Sequence, residues 1–436
     1  MHFHEIFTKF LKSVSRKKLD ERQKIWYTIR MKNKRQKWIK PRHKILKAIV
    51  YPFFYAYAKR KYGLKIDRFE DTKNRPYLIL MNHQTGYDQF FVDIAFKGNV
   101  YCVATEDIFS MGFASKLLRF FIAPIPIKKS THDVGAVMNC LRVAKEGGSI
   151  AIFPEGNRTY SGKTEHISPS IAKLARMLKL PIAFMRLEGG YGVQPRWSDV
   201  VRKGTMRARV SRVMEADEIK TLSVDELHEI IVKELHVNEN HSDEEFYSKK
   251  SAEYLERAMY VCPFCGISVF ESKNDTIECK QCHRKIKYGA NKELSGIDCS
   301  SPYRYIGDWY DYQSAFIANL ELSTFGNEHV YKDEDVSLFN VVLYKKKQLL
   351  KKKIQMFAYN DRFTFTKGNY TLSLPFEEVS TVTVLGRNKL NIYYDDNQKV
   401  YQIKGTKRFN ALKYVQLYYH YKNIKAGNAN GKFLGL

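Results

Sequence analysis

Histidine and aspartate stand five residues apart in His83-Gln84-Thr85-Gly86-Tyr87-Asp88. Imidazole exchanges a proton near neutral pH, and a carboxylate bonded to one ring nitrogen fixes the tautomer and leaves the other nitrogen free to act. The spacing imposes a condition. At about 100° per residue, positions five apart on a helix diverge by about 140°, and on a strand they face opposite sides. The pair therefore meets only if the backbone turns between them, with His83 on a loop and Asp88 in the first turn of the next helix. There the helix dipole favours its charge. The competing reading is a turn histidine beside an N-cap aspartate.

A second group follows about seventy residues later, Phe153-Pro154-Glu155-Gly156-Asn157-Arg158-Thr159. A third is a pair of cysteine hooks, Cys262-Pro263-Phe264-Cys265 and Cys279-Lys280-Gln281-Cys282, separated by 13 residues. Two such hooks predict a zinc ribbon, since four thiolates complete a tetrahedral site. Such a site has no vacant position, so the zinc is expected to be structural. Disulfides are the alternative, but no secretion signal is visible in the sequence. Cys102 and Cys140 read as small core residues.

The elements that position these groups can be read from pattern. Leu78-Ile79-Leu80-Met81 is a short apolar run bounded by Pro76 and Gly86, and Ser149-Ile150-Ala151-Ile152-Phe153 is entered through Gly147-Gly148. Both read as buried strands delivering a polar, glycine-bearing loop. Two strands ending this way predict a parallel sheet whose strand ends gather a site. Between them the pattern predicts helices over 89–97, 111–121 and 132–145 and a strand over 99–104. Beyond them it predicts a strand after Pro181, a flexible Gly189–Gly192 loop, a strand over 206–213 and a helix over 225–235. The alternation gives an α/β layer architecture. His132 reads as a surface histidine. Phe109, Met111, Phe113, Phe120 and Phe121 read first as core and second as an acyl-chain groove.

His83-x4-Asp88 followed by Phe153-Pro154-Glu155-Gly156-Asn157-Arg158 resembles the glycerolipid acyltransferases, of 1-acylglycerol-3-phosphate acyltransferase type. The resemblance spans roughly residues 45–235. It implies His83 as general base, oriented by Asp88, removing the proton from a lysophospholipid hydroxyl that attacks an acyl thioester of CoA or of an acyl-carrier protein. It also implies that Glu155, Gly156 and Arg158 hold the acceptor's phosphate. The physics agrees: an alcohol needs such a base, and arginine's planar fork suits phosphate. One block departs from the family: where an arginine is usual, Ile127-Lys128-Lys129 offers lysines, so Lys128 and Lys129 become the candidate phosphate ligands there.

The chain has 436 residues and a net charge of +27, concentrated at the start, where residues 1–62 carry 19 Lys/Arg and 3 acidic residues. Such a block is attracted to phosphates of anionic lipid or of nucleic acid. Trp26, Tyr27 and Trp38 interleave with the cations, as at bilayer interfaces. Residues 45–58 carry apolar side chains at helical spacing, in a run too short to span a bilayer. We read residues 1–60 as a basic amphipathic segment lying on a membrane; a solvated tail and an ordinary core helix are the alternatives. This predicts a cytoplasmic protein, peripheral on the inner face of the cell membrane. Charge, ribbon and aromatics would also serve a nucleic-acid-binding protein, which leaves both motif loops unexplained, so no nucleic-acid partner is expected. A non-catalytic membrane adaptor is the third reading.

The fold expected is an α/β acyltransferase domain, a mixed and largely parallel sheet flanked by helices, over residues 61–235. Residues 236–245 read as a polar linker. A helix (246–259) plus zinc ribbon follows to residue 300, then an aromatic helical connector over 301–338. Residues 339–425, with seven short β-rich runs and a final helix, resemble the pleckstrin-homology or GRAM-like fold. Lys345–Lys347 and Lys351–Lys353 are candidates for lipid headgroups or simply a solvated face.

Overall fold

The computed structural model describes residues 37–428 except 72, 111, 128–132, 242, 343–344 and 396–398. The basic stretch before residue 37 thus lies outside the described residues, as do Lys128, Lys129 and His132.

Helix α1 (Pro41–Tyr62) leads into a seven-stranded sheet. Its strands are β1 (Leu64–Ile66), β2 (Leu78–Met81), β3 (Val100–Thr105), β4 (Ile125–Ile127), β5 (Ser149–Ile152), β6 (Ile182–Glu188) and β7 (Met206–Met214), in the order β1-β7-β6-β2-β5-β3-β4. Only the β6–β7 pairing is antiparallel. Strand β2 lies between β5 and β6 and is buried along its whole length. That explains its unbroken Leu-Ile-Leu-Met run, because a central parallel strand is covered on both faces.

Helices α2 (Asp88–Ala95), α3 (Phe113–Phe121), α4 (Val134–Lys145), α5 (Ser170–Leu178), α6 (Gly190–Val193), α7 (Ala216–Thr221) and α8 (Val224–Leu235) connect or follow the strands. Helix α1 is fastened by one face: Lys47 and Tyr51 reach the buried Asp93 carboxylate at 3.2 and 2.8 Å, and Ala58 and Tyr62 enter the core. Its other face leaves Ile45, Ile49 and Phe53 exposed, Phe53 at 77%. Helix α3 does likewise with Phe113, Leu117 and Phe120. The two helices touch where Arg42 donates to the Phe120 carbonyl and lies over its ring. The core reading of these phenylalanines holds for Phe109, which is buried, and fails for Phe113 and Phe120, which face outward.

Three segments differ from the sequence reading. Gly189–Gly192, expected as a flexible loop, contributes to the buried turn α6. A Cβ at Gly192 would collide with the Phe246 ring, so the glycines serve close packing. Residues 246–259, expected as a helix, run as turns ending in a 3-10 turn at 255–257. Tyr254 in the left-handed region (φ 71°) and the Lys203–Tyr247 bridge take the backbone out of helical register. Residues 236–245, expected as a polar linker, form a strap with Glu239 and Asn240 buried. Glu239 accepts from Gln84 Nε2 and from the Gly189 N–H, and Lys292 donates to its carbonyl.

The cysteine hooks lie on small antiparallel pieces: β8 (Val261–Cys262) with β9 (Gly266–Ile267), and a sheet of β10 (Phe270–Lys273), β11 (Thr276–Cys279), β12 (Lys285–Tyr288) and β13 (Leu294–Gly296). Helix α9 (Ile306–Ala318) packs on them, with Trp309 Nε1 donating to the Val261 carbonyl at 2.8 Å.

The last sheet is fully antiparallel, in the order β17-β16-β15-β14-β20-β19-β18. Its strands are β14 (Tyr331–Val341), β15 (Gln348–Ala358), β16 (Arg362–Lys367), β17 (Tyr370–Pro375), β18 (Val379–Leu385), β19 (Lys389–Tyr394) and β20 (Lys399–Lys404), and helix α10 (Leu412–Lys425) closes it. The first strand starts at Tyr331, inside the segment read as a connector, because bulges interrupt the alternation on which strand reading depends. This sheet, the ribbon and α9 share one hydrophobic core.

Candidate active site

His83 and Asp88 follow the end of β2, and the Phe153–Thr159 loop follows the neighbouring parallel strand β5. Parallel pairing brings both loops to the same edge of the sheet. The backbone turns between residues 83 and 88, and His83 Nδ1 lies 2.8 Å from Asp88 Oδ2. An ionised carboxylate only accepts, so Nδ1 carries the proton and Nε2 is the basic nitrogen. Nε2 has no hydrogen-bond partner among the described residues.

Asp88 is fully buried and staples the turn. It accepts from the N–H groups of Gln84 at 2.8 Å and Thr85 at 3.0 Å, and from the Thr85 hydroxyl. It is the first residue of α2 and does not cap it: the N-cap position is Tyr87, with no side-chain cap bond. The N-cap reading of Asp88 is thus replaced by a turn-bracing carboxylate. Phe153 stacks on the imidazole with centroids 4.5 Å apart. Burial holds the His83 imidazole below its usual value; Asp88 opposes that shift, and Arg158 and Arg196 add to it.

Glu155 was expected at the acceptor phosphate, but both its oxygens are engaged by backbone. Oε1 accepts from the His83 N–H at 2.7 Å and Oε2 from the Glu165 N–H at 2.8 Å. Thr159 N–H returns to the His83 carbonyl at 3.3 Å, so the two loops are laced in both directions. Burial pushes the Glu155 carboxyl up to about 8, against the pull of those two N–H groups. Gly156 adopts φ 68°, and a Cβ there would meet nothing within 4 Å, leaving that side of the loop open. Arg158 makes no side-chain hydrogen bond or ion pair among the described residues; burial, then Arg196 and Arg387, push its guanidinium down to about 10.

The sequence reading missed Arg196, which is 2% exposed. It donates to the Arg158 carbonyl at 2.8 Å and to Asn157 Oδ1 at 3.3 Å, and lies 4.3 Å over the Tyr160 ring. It also missed Asn82, whose amide pairs with Leu187 N–H and C=O on β6, and Gln84, whose amide spans Tyr191 and Glu239. Only the Gly-Gly-Tyr-Gly and Pro-Arg-Trp runs hinted that 189–197 packs against the motif loops.

Away from this centre, the Sγ atoms of Cys262, Cys265, Cys279 and Cys282 lie within 4.8 Å of one another. The pairs Cys262–Cys282 and Cys265–Cys279 are 3.7 and 3.6 Å apart. A disulfide requires about 2.05 Å, and all seven cysteines are free. Thiolates at about 2.3 Å from a central zinc would stand close to these separations. The donor set therefore fits a closed tetrahedral zinc.

The family model described as Acyltransferase matches residues 64–187, a little over a quarter of the chain. The match runs from β1 to near the end of β6 and encloses both motif loops, so this segment is similar to an acyltransferase domain. No curated protein matches the chain significantly. Among solved structures, the 1-acyl-sn-glycerophosphate (LPA) acyltransferase PlsC from Thermotoga maritima aligns over 43% of this chain and 79% of its own, at 17% identity and a TM-score of 0.35.

Proposed function

We propose that the protein transfers a fatty acyl group from an acyl thioester, of CoA or a carrier protein, to the free hydroxyl of a lysophosphatidate-like acceptor. The acyltransferase match over residues 64–187 supports the reaction class. The observation that carries the mechanism is the 2.8 Å His83–Asp88 contact, which leaves Nε2 without a partner among the described residues. His83 Nε2 takes the hydroxyl proton as the oxygen attacks the thioester carbonyl. The C–S bond then breaks, and the departing thiolate recovers the proton from the imidazolium. Asp88 stabilises that imidazolium and holds the ring. Arg158, with its guanidinium uncommitted, takes the acceptor's phosphate beside the open Gly156.

Three further assignments belong to this reading. The four cysteines hold one structural zinc that fixes the β8–β13 region. The outward apolar faces of α1 and α3 rest in the interface of an anionic membrane, the inner face of the cell membrane, with the basic N-terminal stretch adding attraction. The antiparallel sheet capped by α10 is a PH/GRAM-like module, a likeness its strand order supports.

The test is release of free thiol from acyl donor on addition of lysophosphatidate, together with the labelled lipid product. Wild-type protein that yields neither, while His83→Ala behaves identically, would falsify the reading.

A further inference from the structure

The β18–β19 hairpin reaches the site from a distant part of the chain. Arg196, whose Nη1 holds the Arg158 carbonyl, also donates to the carbonyls of Val384 at 3.1 Å and Gly386 at 3.3 Å. The hairpin tip is pinned from its other side by Asn388, whose amide donates to the Thr406 carbonyl at 2.9 Å. Arg387 lies between these anchors. Its Nη1 is 3.1 Å from Asp199 Oδ1, while its Nε is buried with no hydrogen-bond partner among the described residues. Asp199 is already held by Arg257 through both oxygens, at 2.9 and 3.1 Å.

The charge is out of balance. Arg257 and Arg387 share the one Asp199 carboxylate. Arg196 spends its bonds on the Arg158, Val384 and Gly386 carbonyls and Asn157, and the Arg158 guanidinium makes no ion pair among the described residues. An unpaired buried guanidinium N–H is costly. Crowded guanidiniums persist where an anion completes them, and a phosphate monoester, with up to two charges and several acceptor oxygens, matches forked donors. Arg387 is close enough to Arg158 to add to the repulsion that holds its guanidinium down.

We propose that Arg387 completes the anion pocket of Arg158, so that the acceptor's phosphate is gripped jointly by the motif loop and by the hairpin of the C-terminal sheet. This rests on the acyl-transfer reading only for the identity of the ligand. It makes the C-terminal sheet a determinant of acceptor recognition, and Arg387 a binding residue with no part in proton transfer.

The experiment uses the full chain, with Arg387→Met, Arg387→Lys and wild type. Calorimetry reads binding of glycerol 3-phosphate, thiol release reads KM and kcat with lysophosphatidate, and thermal melting reports folding. Arg387→Met should weaken glycerol 3-phosphate binding and raise KM about ten- to a hundredfold, with kcat and melting temperature little changed. Arg387→Lys, which keeps the charge but not the fork, should fall between. Unchanged binding and KM in a folded Arg387→Met would overturn the proposal and leave acyl transfer standing. Loss of kcat without loss of binding would also overturn it, by showing a docking role. Arg387-dependent phosphate binding in a protein that transfers no acyl group would uphold the proposal and remove the acyl-transfer reading instead.

Discussion

Glu155 Oε1 accepts the backbone N–H of His83 at 2.7 Å, so one motif loop holds the other by its main chain. The acid in the second loop thus braces the main chain of the first, its other oxygen accepting the Glu165 N–H at 2.8 Å. The carboxylate that orients the imidazole and the carboxylate that fixes its backbone come from opposite sides of the β2–β5 pair.

Replacing His83 with Ala should lower the turnover of acyl donor by about 10²–10⁴-fold, the usual contribution of a general base. The fold should survive, because Asp88 keeps its bonds to Gln84 and Thr85. Stopped thiol release with an unchanged melting curve is the expected result; turnover within a few fold of wild type would mean that another group removes the proton.

Protonated His83 cannot accept the hydroxyl proton, so kcat/KM should fall as pH drops through the ring's value in the free enzyme. Burial holds that value below 6.5, so the acid limb should have its midpoint below 6.5. Arg158 pushes in the same direction, so Arg158→Gln should move the midpoint upward even as affinity falls. A wild-type midpoint above 6.5 would contradict the desolvated ring.

Glu155→Gln and Arg158→Lys should separate bracing from binding. The amide in Glu155→Gln turns an N–H toward one of the two backbone N–H groups, loosening the loop. We expect kcat to fall about tenfold with acceptor KM nearly unchanged. Arg158→Lys should instead raise acceptor KM. Titration gives a second reading of Glu155. Its folded value, about 8, lies above the ordinary 4.5, so its contribution is fully present below 4.5 and is lost as pH rises through about 8. Glutamine should remove that slope from a plot of melting temperature against pH.

Metal analysis should find one zinc per chain, and a chelator should lower the melting temperature of the ribbon and the C-terminal sheet together, since they share a core. Cys262→Ser should lose the metal. Purified protein without zinc, and melting indifferent to chelator, would remove the ribbon assignment.

Phe53→Asp with Phe113→Asp should reduce sedimentation with anionic vesicles while leaving turnover of a detergent-dispersed acceptor intact, because both side chains point away from the core. Equal sedimentation of the double variant and wild type would move the membrane contact elsewhere.

Local rules made much of this legible. The apolar runs of β2 and β5 and the five-residue spacing of His83 and Asp88 carried enough information to predict a turn-borne pair at a parallel strand edge. What escaped was long-range and polar. Arg196 looks like any surface arginine until Tyr160 and the β18–β19 hairpin enclose it. Glu239 lies in a segment whose acidic composition imitates a linker, because sequence does not reveal that Gln84 and Gly189 wait for its carboxylate. The 246–259 stretch has helix-forming residues, but Phe246 is claimed by the space above Gly192 and Gly204, and tertiary packing overrides propensity.

The strap at 236–245 sets where this chain can be cut. An expression boundary placed at residue 235, where the helices of the first sheet end and the composition turns polar, would strip Glu239 from Gln84, Phe246 from the glycines beneath it and Ser251 from Arg202. A minimal enzyme designed that way would lose the plug that seals its own floor. Such a fragment should come out insoluble even though every motif residue is retained.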